Sequence, residues 1–352
     1  MTSTTTPRPI AAEPALGQTV TRLLTDYADA SSQDVWQRLL QLGIAEVGAQ
    51  GQGPGGPVDA CGLLAIAGYH ARSLPMAEAG LLGRWLAERA GWTLQDDATL
   101  TVAPPDATPL VAAAHTGPIE LTWHDVPWLP AATSILAPVL TDAGEYAVHL
   151  TPDEVKHGDG ANLAGEARSS VIATVSLDSS SVAAVPDGTC HALRARGALS
   201  RAALIAGSLR RSVALAATHA ASRTQFGKPL SKFQAISHLL AVAAEHAALA
   251  DAAVRVAAEA LEQDPADPTQ RVAIARAVTH SAVRVVTRNT HQVFGAMGVT
   301  KECELSEHTV RQLSWDNEWG LAAEHTARFT EDVLTHSDDF WVAFTRTTPT
   351  PN

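Results

Sequence analysis

The second half of the chain limits the fold more than any other part of it. From Ala198 to Ser222, ALSRAALIAGSLRRSVALAATHAAS consists almost wholly of strong helix formers. KFQAISHLLAVAAEHAALADAAVRVAAEALEQ (232–263) continues in the same way. Two prolines in DPADPTQ (264–270) then break the chain before RVAIARAVTHSAVRVVTRNTHQVF (271–294). A last helical stretch runs through 306–338. Four long helices with short links predict an antiparallel bundle, here bounded at 188–345. In helix 232–263, Ala241, Ala243, Ala244, Ala247, Ala248 and Ala250 leave little polar surface. A helix apolar nearly all round is normally buried, so the bundle is expected to bury an interface with another chain.

The region 16–91 is also helical. Val35, Trp36, Leu39, Leu40 and Leu42 recur at three-to-four spacing, as do Leu63, Leu64, Ile66 and Ala67, and then Leu81, Leu82, Trp85 and Leu86. Residues 1–15 read as a loose tail. Between the helical patches, GQGPGG (51–56) fits G-x-G-x-x-G as a string. It contains Pro54 and follows no strand, so it reads as a loop and not as a dinucleotide fingerprint. From 92 to 187 the pattern changes. ATLTVA (98–103), IELTWHDV (119–126), EYAVHL (145–150) and SSVIATVSL (169–177) are β-formers punctuated by prolines, which predicts a small antiparallel β domain. The expected fold class is α+β and multidomain, in the order N-terminal helical domain, small middle β domain, C-terminal four-helix bundle.

The bulk properties exclude several function classes. A net charge of -12 disfavours a nucleic-acid partner. No apolar run approaches the roughly 18 residues of a membrane span. The N-terminus lacks a signal-peptide core, so a cytoplasmic location is expected. Cys61, Cys190 and Cys303 are odd in number and far apart, as expected of reduced thiols. The 14 histidines show no H-E-x-x-H, so no metal site is expected.

Two stretches interrupt the apolar helices with chemistry. RTQFGKPLSKFQ carries Arg223, Gln225, Phe226, Gly227, Leu230, Phe233 and Gln234. HQVFGAMGVTKECEL carries Gln292, Val293, Gly295, Ala296, Gly298, Thr300, Glu302 and Leu305. Arg223 offers several parallel N–H donors to a pyrophosphate. Phe226 offers an apolar face to a ring system. Gln225 and Gln292 can donate and accept for a ribose or adenine. Gly295 and Gly298 permit close backbone approach.

With the domain order, these two motifs resemble the acyl-CoA dehydrogenase family of flavoproteins, and the resemblance covers most of 30–335. Ala296 replaces the second glycine of the family's glycine motif. The resemblance implies FAD as cofactor, shared across a subunit interface. Arg223, Gln225, Phe226, Gln292, Val293, Gly295, Ala296 and Gly298 would hold the FAD of a neighbouring subunit.

The sequence also departs from the family. The T-E-P-x-A-G-S-D-like loop and W-I-[TS]-like strand that hold a subunit's own flavin are missing; PVLTDAGEYAVHL shares only a Thr-Asp-Ala-Gly fragment. The family's glutamate base belongs at one of two positions. Counting from the glycine motif arrives at Trp319-Gly320, and counting back from Arg223 arrives at Gly197. Neither is an acid. Glu318 is adjacent, but one residue turns a helical side chain by about 100°, so it reads as a solvated or capping carboxylate. Trp315 and Trp319 read as packing residues. Arg210 and Arg211 are expected to face solvent or a partner helix.

The chain therefore resembles the non-catalytic subunit of the heteromeric (α2β2) acyl-CoA dehydrogenases of actinobacterial steroid side-chain catabolism. This implies a catalytic acyl-CoA dehydrogenase paralogue as partner, an acyl-CoA substrate, no catalytic residue in this chain and a vacant site of its own. Three alternatives stay open: a self-sufficient homotetramer with a displaced base, a family member doing other flavin chemistry, and a helical scaffold without flavin.

Overall fold

Helix α5 (Thr189–Ser222) organises the molecule. Its 34 residues rise about 51 Å. Over its first two-thirds it is buried on nearly every side, which explains why its sequence shows no polar face. It packs against α3 (Pro57–Tyr69), α6 (Gln234–Gln263), α7 (Thr269–Phe294) and α8 (Glu304–Trp315). The structure, a computed structural model, describes residues 10–49, 55–105, 110–111, 117–263 and 269–336. Most of the expected tail, the first residues of GQGPGG, the proline break at 264–268 and the end of the chain lie outside the described residues. Among the described residues, no helix is long and apolar enough to cross a membrane.

The N-terminal helices are α1 (Pro14–Asp26), α2 (Ser32–Gln41), α3, and a π-helical turn (Ala77–Arg84) that runs into α4 (Trp85–Arg89). Helix α3 meets α5 backbone to backbone. A methyl group at Gly68 would overlap the Leu204 carbonyl, and one at Gly207 would overlap the Ala65 carbonyl. The two helices leave no channel at this crossing.

The middle region holds two small sheets. One has the order β1 (Leu100–Val102), β4 (Ser134–Thr141), β5 (Gly144–Leu150), β8 (Val182–Val185), with β2 (Leu110–Val111) also on β4. The other has the order β3 (Ile119–Pro127), β7 (Arg168–Val175), β6 (Lys156–Gly158). Trp123, Ile135, Val148 and Val171 pack between the sheets, and Trp123 Nε1 donates to the Pro138 carbonyl at 3.0 Å. The region is not wholly antiparallel as expected, because β1 and β2 run parallel to β4. Pro138 hid β4 in the sequence. It is tolerated because β1 pairs Ser134–Leu136 and β2 pairs Leu140–Thr141, so the proline falls between the two registers.

Helix α5 begins at Thr189, ahead of the Ala-rich run and next to the expected bundle boundary at 188. Glu145 of β5 accepts from Gly188 N at 3.0 Å and Cys190 N at 2.6 Å, so a carboxylate caps the start of α5. The expected last helix is two. Trp319 (φ 60) and Gly320 (φ 93) are left-handed and separate α8 from α9 (Ala322–His336). On α6, Ala243, Ala247 and Ala250 face the chain's own core, while Ala241, Ala244, Ala248, Leu249 and Val256 remain exposed.

The α3–α5 crossing gives a first prediction. Gly207→Ala must push two backbones apart, and overpacking of this kind destabilises by about 1–3 kcal/mol or more. Chemical denaturation should show that loss, with Gly158→Ala as control, since a Cβ there meets nothing within 4 Å. Equal midpoints for the two variants would contradict the close packing.

Candidate functional site

The two sequence motifs come together at one end of the bundle. After α5, Thr224–Gln225 (β9) pairs with Lys228–Pro229 (β10), and Phe226-Gly227 forms the tight turn between them. Both turn residues have positive φ, 52 and 79, the pattern of a type I′ hairpin. Asn-Gly suits such a turn; a phenylalanine there is strained by about 1 kcal/mol. The strain thrusts the ring outward, and Phe226 is 90% exposed. Arg223 and Gln225 are exposed beside it.

The second motif ends α7. Gln292 is exposed, Val293 is buried, and Gly295–Val299 forms a 3-10 turn with Gly295 at φ 65. Gly298 is buried against Phe294 and Leu305, where a Cβ would lie 2.9 and 3.5 Å from their side chains. Ala296, which stands where the family has glycine, is exposed. The two motifs meet through a small apolar cluster of Ala216, Ala220 and Val293, with Leu230 and Phe294 packed on it.

The two positions where a base was sought also meet. The Trp319 ring lies directly on Gly197, so that any Cβ at 197 would overlap the indole. Trp319 is 3% exposed. Its left-handed backbone is held by buried groups. His325 Nε2 lies 2.9 Å from the Trp319 carbonyl, and Arg276 Nη2 donates to the Asp316 and Gly320 carbonyls at 2.7 and 3.2 Å. Strained backbone persists only where its surroundings over-determine it in this way. The indole therefore fills the space beside Gly197.

Glu318 requires a second correction. It does not face solvent and caps nothing; its side chain is 14% exposed and both oxygens are engaged. Oε1 accepts from Arg168 Nη2 at 2.7 Å, Arg168 Nε at 3.0 Å and Asn162 Nδ2 at 3.0 Å. Oε2 accepts from Arg201 Nε at 2.6 Å. Arg201 Nη2 donates onward at 2.8 Å to Glu78, which is 1% exposed on the π-helical turn. Arg168 Nη2 also donates to Glu166 at 3.2 Å, and Glu166 accepts from Trp315 Nε1 at 3.0 Å. The network joins the N-terminal helices, the β region and the bundle.

Burial alone would raise the Glu318 pKa, but Arg201 and Arg168 outweigh it and hold the carboxyl below its ordinary value. Burial would likewise depress Arg201, yet Glu78 and Glu318 keep it above its ordinary value. A carboxylate stabilised as an anion and saturated with donors is poorly suited to abstract a carbon-bound proton. Elsewhere, Arg210 lies 3.5 Å from Asp251, and Arg211 makes a two-pronged contact with Glu304 at 2.7 and 3.0 Å. Both arginines thus contact neighbouring helices. Sequence reading missed Arg201, Arg168 and Glu78. A lone arginine in the apolar run LSRAAL was the visible signal, but its partners are distant in sequence.

Residues 194–319 match the family described as acyl-CoA dehydrogenase, C-terminal domain. A comparison of the sequence with curated proteins finds no match. The structure is similar to that of the ChsE4-ChsE5 complex from Mycobacterium tuberculosis, with TM-score 0.81 at 21% identity over 93% of this chain and 98% of that one. It is also similar to a Tcur3481-Tcur3483 steroid ACAD variant, with TM-score 0.79 at 19% identity over 92% and 97%. Butyryl-CoA dehydrogenase from Megasphaera elsdenii gives TM-score 0.71 at 18% identity over 91% and 98%. Residues 194–319 are thus similar to the acyl-CoA dehydrogenase C-terminal domain, and the described chain has the acyl-CoA dehydrogenase fold.

The network predicts an acid response. Because the folded pKa of Glu318 lies below its unfolded value, its stabilisation is present above about pH 4.3 and is lost as pH falls through the folded pKa. His325 acts in the same direction: burial lowers its pKa to about 4, so stability falls as pH drops from about 6.5 toward that value. Glu318→Gln breaks buried ion pairs and should destabilise by about 3–5 kcal/mol at neutral pH. It should also flatten the acid limb of a stability–pH profile below about pH 4.3. A variant as stable as the parent would contradict this role.

Proposed function

We propose that this chain is a non-catalytic subunit of a heteromeric, flavin-dependent acyl-CoA dehydrogenase, in which it completes the FAD site of a catalytic paralogue. The observation that carries the reading is the contact of Trp319 with Gly197, which puts an indole where the reaction needs a carboxylate and an open cleft. The middle region supports it. The Thr-Asp-Ala-Gly fragment that most resembles the flavin-holding loop is consumed in the tight β4–β5 turn, where Thr141 Oγ1 donates to Gly144 O at 2.8 Å and accepts from Ala143 N at 3.2 Å. These residues do not fit a flavin loop. The residues at the far end of the bundle do fit a donated half-site: an exposed arginine, an aromatic ring held out by a strained turn, and an exposed glycine turn.

In this reading, bound FAD supplies the hydride acceptor for α,β-desaturation of an acyl-CoA thioester. Arg223 donates to the pyrophosphate, Phe226 packs on an apolar face, and Gln225 and Gln292 hydrogen-bond ribose or adenine. Val293, Gly295, Ala296 and Gly298 form the backbone wall. The paralogue supplies the middle-region flavin contacts and the base. The steroid side-chain substrate class rests on likeness to the complex described as a steroid ACAD. The saturation of Glu318 argues against a self-sufficient homotetramer that uses it as a displaced base.

Two experiments test this reading. Co-expressed with the paralogue, Arg223→Ala should weaken flavin retention by roughly tenfold to a hundredfold, the value of a charge-assisted contact. Phe226→Asn should relieve the turn and stabilise the isolated chain, yet lower the flavin bound per complex. Arg22→Ala, exposed on α1, is the control. Normal assembly with full flavin in both motif variants would reduce the hairpin to a packed corner. The isolated chain should also fail to reduce an acceptor dye with acyl-CoA substrates. Turnover abolished by Glu318→Gln would instead promote Glu318 to the base.

A further inference from the structure

The hairpin after α5 and the glycine turn after α7 are distant in sequence, yet they share an apolar cluster of their own, separate from the main core. Within that end of the bundle, the His219 ring stacks on the Phe294 ring, with centroids 4.3 Å apart and planes inclined by 16°. The backbone of His219 also ends α5: its carbonyl accepts from Arg223 N at 2.8 Å and Ser222 Oγ at 3.3 Å. Phe294 is the last residue of α7, immediately before Gly295, and its Cβ closes on Gly298. One residue therefore touches both segments. Its main chain sets where the hairpin leaves α5, and its ring sets the residue from which the glycine turn departs.

We propose that His219, stacked on Phe294, is a positioning residue that holds the Arg223–Gly227 hairpin and the Gly295–Gly298 turn in one fixed relation, so that together they grip a flavin nucleotide. The purpose of the brace rests on the proposed function; its existence does not. Each segment alone is weakly anchored. The hairpin has a strained tip and an exposed ring, and the glycine turn is a single 3-10 turn that is exposed at Gly295, Ala296 and Met297. A nucleotide gripped by Arg223 on one side and by backbone on the other needs both at a set distance, because a loosely held half-site loses the benefit of preorganisation. Aromatic stacking is a directional way to set that distance. Burial and the adjacent Arg223 push the imidazole below its ordinary pKa, so the ring stacks in its neutral form at pH 7.

The test uses His219→Ala, His219→Phe and, from the other side of the stack, Phe294→Leu. Amide hydrogen exchange is measured first on the full isolated chain, where no flavin is needed. His219→Ala and Phe294→Leu should speed exchange at Thr224–Lys228 and at Gly295–Thr300 together, by about two- to tenfold, the size of an aromatic pair. His219→Phe should restore both. The same variants are then co-purified with the paralogue, and flavin per complex should fall and recover in the same order. Unchanged exchange, or loosening of only one segment, overturns the brace. Joint loosening with full flavin retention leaves the brace standing and overturns the cross-subunit reading instead.

Discussion

A single carboxylate, Glu318, holds the molecule's three regions in register. It lies between Arg168 at the start of β7 and Arg201 on α5, and Arg201 in turn reaches Glu78 in the N-terminal helices. A buried ion pair contributes little net stability relative to an apolar substitute, but losing one partner strands a charge in the interior. Both oxygens of Glu318 are engaged by donors from separate regions, so the arrangement is fixed once formed. It also sets the direction of the neighbouring residue. With Glu318 turned to the arginines and the backbone left-handed at 319, the Trp319 indole goes onto Gly197. Arg276 and His325 then hold the carbonyls of that link.

The two ends of the bundle have opposite characters. Around Gly197 everything is filled: indole against glycine, α3 against α5 with no gap, carboxylates matched to guanidinium groups. At the other end, an aromatic ring is held in solvent by a backbone conformation that a phenylalanine does not favour. Strain kept at an exposed position suggests use, and the residues beside it are those that could recognise a nucleotide. In the proposed function, the filled end at Gly197 is this chain's own closed cleft and the exposed end is a half-site offered to another chain.

The bundle helices, most of the longer middle strands and the two motif stretches were legible in the sequence because they rest on local chemistry: helix propensity, β-branched clusters, and polar and glycine residues that interrupt apolar helices. The proline of β4 concealed a central strand, since only tertiary pairing shows that Pro138 falls between two neighbours. The break before α9 was missed although Gly320 (φ 93) is a local helix-end signal; the left-handed backbone of the preceding Trp319 had none, being held by buried arginine and histidine. The family resemblance, counted along the chain from its two motifs, identified Gly197 and Trp319 as the positions without an acid. Their contact was not legible, nor was the burial of Glu318, because both depend on residues more than a hundred positions apart.

The visible absorption spectrum of the purified protein tests the central claim most directly. Expressed alone, the chain should be colourless, because its own middle region offers no flavin loop. Co-expressed and co-purified with a catalytic paralogue, it should form a yellow complex with bound FAD. A chain that is stoichiometrically yellow when expressed alone would contradict the account, and so would a paralogue that holds its full FAD equally well without this subunit.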